Sequence, residues 1–185
     1  GFAADVVDLD ASADDNVRAL AKAKGVTAAE IGVCVLDRPR HGAIIEALRT
    51  VGARVHLIGD GDIAGAINCA KPETGIDMYL GSGGAPEGVL AAAALRCVGG
   101  QFQARFMIRN DEDRARAKKA GIEDAKRRYA LNDLVSQPAI FVATGVTTGS
   151  IVDGVRFAEG HAETHTLAMN AATGSICDLR LRTRA

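Results

Sequence analysis

The sequence predicts an α/β fold in which three βα units are followed by a β-rich C-terminal hairpin region. Three observations carry that expectation. Short apolar runs of β type alternate three times with helical segments between residues 31 and 98. Each of those runs ends in a polar or glycine-rich loop. Beyond residue 139, period-two alternation replaces the helical period.

Taken in order, residues 11–24 read as a helix with Ser12 or Asp14 near its cap and Gly25 as its stop. Residues 31–36 (IGVCVL) form the first apolar strand, closed by Asp37-Arg38-Pro39-Arg40 and His41. A helix follows, with Ile44, Ile45 and Leu48 on one face. Residues 55–58 make the second strand, which runs into Gly59-Asp60-Gly61-Asp62 and an Ala-rich helix over roughly 62–70. The third strand, 76–80, leads into Gly81-Ser82-Gly83-Gly84-Ala85-Pro86-Glu87-Gly88, and the helix after it ends at Gly99-Gly100. Residues 111–130 are charged and helix-prone, interrupted by Gly121, and read as a solvated face. Residues 139–143 form a strand, and Ala172-Thr173-Gly174 turns a terminal hairpin. No repeat, low-complexity tract or linker divides residues 1–185, so a single domain is expected.

Composition excludes several function classes. Hydrophobic residues make up 48%, enough for a core and too many for a disordered segment. Lys and Arg total 22 against 23 Asp and Glu, so no general field draws in nucleic acid or anionic lipid. Cys34, Cys69, Cys97 and Cys177 form no CxxC pair and match no zinc spacing, so four free, reduced thiols are expected. No run is long enough to span a membrane and no signal peptide is visible, so a soluble cytoplasmic protein is expected. The chain opens Gly1-Phe2-Ala3-Ala4, without an initiator methionine.

The polar clusters all fall just after strands, at the carboxyl edge where open α/β sheets bind ligands. Arg38-Pro39-Arg40 sets two guanidinium groups around a rigid proline, suited to a phosphate; a solvated surface turn is the alternative. Asp60-Gly61-Asp62 could accept hydrogen bonds from sugar hydroxyls, ligate a cation or pair with the arginines, while an Asp-Gly turn capping a helix also explains it. In the third loop the glycines let backbone N–H groups approach an anion, and Pro86 suits a helical first turn. A carboxylate at Glu87 beside a phosphate calls for an intervening cation such as Mg²⁺ or Mn²⁺, unless it only complements the helix dipole. No Lys-Ser/Thr follows the glycines and the sixth position is Pro86, which disfavours Walker A and dinucleotide readings.

Together LDRPRH (36–41), GAR-x-x-LI-x-DGD (52–62), GSGGAPEG (81–88) and FVATGVTTGSIVDGVRF (141–157) resemble the class II, GlpX-type fructose-1,6-bisphosphatases, in order and over nearly the whole chain. The resemblance implies a layered sugar-phosphatase-like α/β fold and Mn²⁺- or Mg²⁺-dependent hydrolysis of the 1-phosphate of fructose 1,6-bisphosphate, with sedoheptulose 1,7-bisphosphate a substrate of some members. Carried over by motif, Glu87 is the metal ligand, and Arg38, Pro39, Arg40, Asp60, Gly61, Asp62 and Gly84 contact substrate. The chain departs from the family at Thr148, where Asp is frequent.

The resemblance begins in the family's middle, so an N-terminal half bearing most metal ligands and the water-activating groups is the expected partner, and no catalytic residue is assigned within these residues. The resemblance implies the C-terminal, substrate-binding part of a larger phosphatase, with a homo-oligomer expected. A non-catalytic sugar-phosphate-binding module is the alternative.

Overall fold

The computed structural model describes residues 6–184; the opening Gly1-Phe2-Ala3-Ala4 lies outside them. Helix α1 (Ala13–Lys24) is capped by Ser12, whose side chain accepts from the Asp15 N–H, and stops at Gly25 in the left-handed conformation, φ 69°. A short 3₁₀ turn at Ala28–Glu30 leads into β1 (Gly32–Leu36). Helix α2 (Gly42–Thr50) and β2 (Arg54–Ile58) follow, then α3 (Asp62–Asn68) and β3 (Met78–Tyr79). These strands form one parallel sheet in the order β2-β1-β3, with Val33 opposite both Val55 and Met78. β1 is therefore central, and all five of its residues are buried.

The third strand is shorter than the sequence predicts. Only Met78 and Tyr79 pair regularly, although Asp77 N–H to the Gly32 carbonyl (2.8 Å) and Leu80 N–H to the Cys34 carbonyl (3.0 Å) extend the parallel run at each end. Gly81 and the loop after it turn away to meet α4 (Ala85–Val98), which ends at Gly99, φ 72°.

One face of β1 packs Val33 and Val35 against Val17 and Leu20 of α1 and Ile45 and Leu48 of α2. On the other face α3 comes close, because Gly65 presents no side chain. A Cβ there would lie 3.2 Å from Cys34 Sγ and 3.1 Å from the Tyr79 ring. A second cluster joins Ile67 of α3, Ala94 and Cys97 of α4, and Phe141, Leu167 and Met169 of the C-terminal sheet.

Between the two sheets lie β4 (Gln103–Ala104), α5 (Asp111–Lys119), β5 (Tyr129–Ala130) and α6 (Leu131–Leu134), with β4 and β5 paired antiparallel. Helix α5 is capped by Asn110, which accepts from the Asp113 N–H at 2.8 Å, and buries none of its residues. The charged segment 111–130 is interrupted where the sequence predicts: the helix ends at Lys119, and Gly121 takes φ 76° and turns the chain.

The C-terminal sheet consists of β6 (Ile140–Thr144), β7 (Arg156–Ala158), β8 (His161–Asn170) and β9 (Ser175–Arg184), all antiparallel. The β8–β9 hairpin turns at Gly174, φ 66°, where the sequence predicts it. His165 Nδ1 accepts the Asp153 N–H (2.8 Å), so the proton sits on Nε2, which donates to Asp178 (3.0 Å). That imidazole ties the 145–155 loop to the sheet. The inward face carries Phe141, Leu167 and Met169; the opposite face leaves Ile140, Val142, Phe157, Leu179 and Leu181 exposed, from 41% to 80%.

All four cysteines are free. No helix of the described residues is long and apolar enough to cross a membrane.

Two glycines in the first half of the chain should respond oppositely to alanine. At Gly32 a Cβ would sit 1.9 Å from the Gly75 carbonyl oxygen, backbone against backbone. Gly42 is helical, φ −53°, with nothing within 4 Å. In urea denaturation, Gly32→Ala is expected to cost about 3 kcal/mol and Gly42→Ala to add roughly 0.5 kcal/mol. Equal effects would contradict the close β1–Gly75 approach.

Burial pushes the Cys34 thiol from 9.0 up to about 11. The fold thus favours the neutral thiol: the associated stability is complete below about pH 9 and is lost as pH rises through 11. Between those values wild type should lose stability more steeply than Cys34→Ala, measured by denaturation at stepped pH.

Candidate functional site

The strand order β2-β1-β3 brings the three polar loops to one sheet edge. Each is shaped locally before it meets the others. After β1, the Asp37 N–H continues the ladder onto the Ile58 carbonyl (2.9 Å). Arg38 is extended, φ −137° and ψ 144°, as the residue before a proline prefers. Pro39 then opens a 3₁₀ turn over Pro39–His41 that runs directly into α2.

After β2, Gly61 adopts φ 82° and ψ 48°, a left-handed turn that only glycine takes readily. Asp60 accepts the Gly61 N–H at 2.8 Å, and Asp62 heads α3 with its Oδ1 3.0 Å from the Ile63 N–H. After β3, Gly84 caps α4 in the extended region and Glu87 sits in the first turn.

The third loop is the meeting point. Arg40 donates to the Ser82 carbonyl through Nη2 (2.7 Å) and Nε (3.2 Å), and Nε also reaches the Ser82 hydroxyl (3.1 Å). Asp62 Oδ2 lies 2.7 Å from where a Cβ on Gly83 would stand. The Glu87 carboxylate folds over Gly84, 2.1 Å from the corresponding position there. A side chain at 83 or 84 would displace these carboxylates from the positions they now hold beside the loop. Tyr79 lies beneath. Burial, and then the nearby Asp62 carboxylate, push its phenol above the usual tyrosine value.

Arg40, Asp62, Gly84 and Glu87 therefore converge. Arg38 and Asp60 stand apart, bonded to the Asp37 carbonyl (2.9 Å) and the Gly61 N–H respectively, while Pro39 and Gly61 shape their turns. Sequence reasoning gave no role to Ser82 or His41. Their only signals were adjacency to the arginine turn and to the glycines. His41 is 1% exposed and contacts Ser82 from below.

A Ser–His contact invites a nucleophile reading, which the geometry opposes. His41 Nε2 already accepts the Ser82 N–H at 2.9 Å, closer than the hydroxyl at 3.2 Å, so it has little capacity left to take the hydroxyl proton. The acids also fall short of a metal centre: among the described residues no group of three His, Cys, Asp or Glu could hold a metal ion. Glu87 is one carboxylate beside an anion-favouring helix start, and on its own does not complete such a centre.

Among the described residues, one recess of about 280 Å³ lies away from the site, beside Arg96, Gly99 and Leu131. A second, of about 200 Å³, lies beside Asp153, Arg156 and His165.

Residues 2–182 match the family model described as bacterial fructose-1,6-bisphosphatase, glpX-encoded. The chain belongs to the GlpX-type fructose-1,6-bisphosphatase family. Three curated relatives bear the name D-fructose 1,6-bisphosphatase class 2/sedoheptulose 1,7-bisphosphatase. The chain is 40% identical to the one from Crocosphaera subtropica over 178 residues, 89% of this chain and 52% of the relative. It is 39% identical over 178 residues to that of Synechococcus elongatus (89% and 52%) and 38% over 177 to that of Microcystis aeruginosa (89% and 51%). The chain thus spans about half the length of these relatives. In this family member the RPR turn, the DGD turn and the GG-x-PEG loop occupy one edge of the parallel sheet. At Thr148, where the family often carries Asp, the hydroxyl accepts the Gly154 N–H at 3.0 Å and closes the 145–155 loop.

Proposed function

We propose that this chain is the sugar-phosphate-binding part of a class 2 fructose-1,6-bisphosphatase, acting on the 1-phosphate of fructose 1,6-bisphosphate, with sedoheptulose 1,7-bisphosphate as a second substrate. The observation that carries the reading is the convergence of Arg40, Asp62, Gly84 and Glu87 on one loop at the N-terminus of α4. Unpaired N–H groups of a helix's first turn and an adjacent guanidinium suit a phosphate. Asp60 and Asp62 suit sugar hydroxyls, Arg38 and Pro39 form the rim of the cradle, and Gly61 lets the DGD turn close.

Glu87 is proposed as a ligand of Mn²⁺ or Mg²⁺, whose remaining ligands come from polypeptide beyond these residues. Such a cation would neutralise charge between carboxylate and phosphate. One feature supports further polypeptide packing on the chain: the outer face of the C-terminal sheet exposes Ile140, Val142, Phe157, Leu179 and Leu181. The relatives, about twice as long, have the chain length to supply it. The same reading places the assembled protein in the cytoplasm as a homo-oligomer.

A second reading, a sugar-phosphate-binding module without hydrolysis, is favoured for the isolated chain because, among the described residues, no group of three His, Cys, Asp or Glu could hold a metal ion. Phosphate release separates the two. The 185-residue chain alone is expected to be inactive. Fused to the complementary half of the Synechococcus elongatus relative and supplied with Mn²⁺, it should hydrolyse fructose 1,6-bisphosphate. In that fusion, Glu87→Ala should lower kcat by roughly a hundredfold or more, and Arg40→Ala should mainly raise KM, by about tenfold. Unchanged kinetics in both variants would contradict the site.

A further inference from the structure

Buried His41 has no part in the chemistry so far, yet both of its ring nitrogens are committed. Nδ1 lies 2.8 Å from the Leu36 carbonyl oxygen, which can only accept, so Nδ1 carries the proton. Nε2 lies 2.9 Å from the Ser82 backbone nitrogen, which can only donate, so Nε2 is the acceptor. The imidazole is thereby fixed in one tautomer between the last residue of β1 and the loop after β3. Gly81 completes the fit: a Cβ there would lie 3.2 Å from Cε1 and 3.3 Å from Nε2 of the ring.

We infer that His41 is a positioning residue for the phosphate loop, fixing which backbone N–H groups that loop offers to an anion. By drawing the Ser82 N–H down into the protein, it removes that donor from the ligand face. Pro86 has no N–H, and the Gly88 N–H is spent on the Gly84 carbonyl at 3.1 Å. Among the described residues, the N–H groups of Gly81, Gly83, Gly84, Ala85 and Glu87 remain as donors around the loop and helix start. Arg40 secures the same residue from the other side through the Ser82 carbonyl. Ser82 is therefore pinned by consecutive residues of the RPRH turn, and the first loop sets the shape of the third. The inference rests on reading 81–87 as the loop that meets phosphate.

The two functions of the ring can be separated by side chains that mimic one nitrogen each. His41→Gln keeps an acceptor near the Nε2 position and gives up the Nδ1 donor. His41→Asn keeps a donor near Nδ1 and cannot reach Ser82 as an acceptor. Hydrogen exchange of the Ser82 amide and calorimetric affinity for fructose 1,6-bisphosphate are read on the 185-residue chain, with thermal midpoints as the folding control.

Wild type and His41→Gln should show a protected Ser82 amide and affinities within about twofold of each other. His41→Asn should exchange that amide about tenfold faster and bind about tenfold more weakly, the size of one lost hydrogen bond. Should His41→Asn prove unstable, protection of the Ser82 amide in wild type and in His41→Gln still decides the contact. Identical behaviour of His41→Gln and His41→Asn, or an unprotected Ser82 amide in wild type, would each overturn the inference. Failure of wild type to bind the sugar bisphosphate would instead count against the phosphate-loop reading, while Ser82 exchange still decides the His41 contact.

Discussion

The arrangement depends on the burial of β1. A five-residue strand with no exposed side chain must be covered on both faces and paired on both edges. Val33 and Val35 are covered by α1 and α2, while Cys34 faces Gly65 of α3. With β2 and β3 as its parallel neighbours, the loops leaving all three strands emerge at one edge. Everything chemical in the chain follows from that: the arginine turn, the aspartate turn and the glycine loop are remote in sequence and adjacent in space because β1 lies between β2 and β3.

The site is built from contacts that each constrain a neighbour. Arg40 holds the Ser82 carbonyl, His41 holds the Ser82 N–H, and the carboxylates of Asp62 and Glu87 occupy the space that side chains at 83 and 84 would need. A loop with that many glycines would otherwise sample many conformations. Tying it to two neighbouring loops restricts it before any ligand arrives, which reduces the ordering cost of binding. The uneven distribution of acids matters equally. One carboxylate at the helix start and two at the DGD turn do not enclose a cation.

Much of this was legible in the sequence because it is local. Apolar runs at 31–36 and 55–58, glycine stops at 25 and 99, and the turn before Ser175 are short-range signals, and the elements appear there. The polar clusters were legible because they follow strands. What escaped depended on distant partners. The role of His41 needs Ser82, 41 residues away, and the role of His165 needs Asp153 and Asp178. The two-residue strands β4 and β5 have no period to read, since a single pairing of Gln103–Ala104 with Tyr129–Ala130 defines them. The shortened third strand reflects Gly81 turning over the His41 ring, a tertiary packing fact.

The claim that three separate loops act as one sugar-phosphate cradle is most directly tested by titrating the ¹⁵N-labelled chain with fructose 1,6-bisphosphate and following backbone amide shifts. The account predicts that amides of Arg40, Asp62, Gly83, Gly84 and Glu87 move together along one saturation curve. Shifts confined to the recess by Asp153 and Arg156, or loops titrating with unrelated affinities, would contradict it.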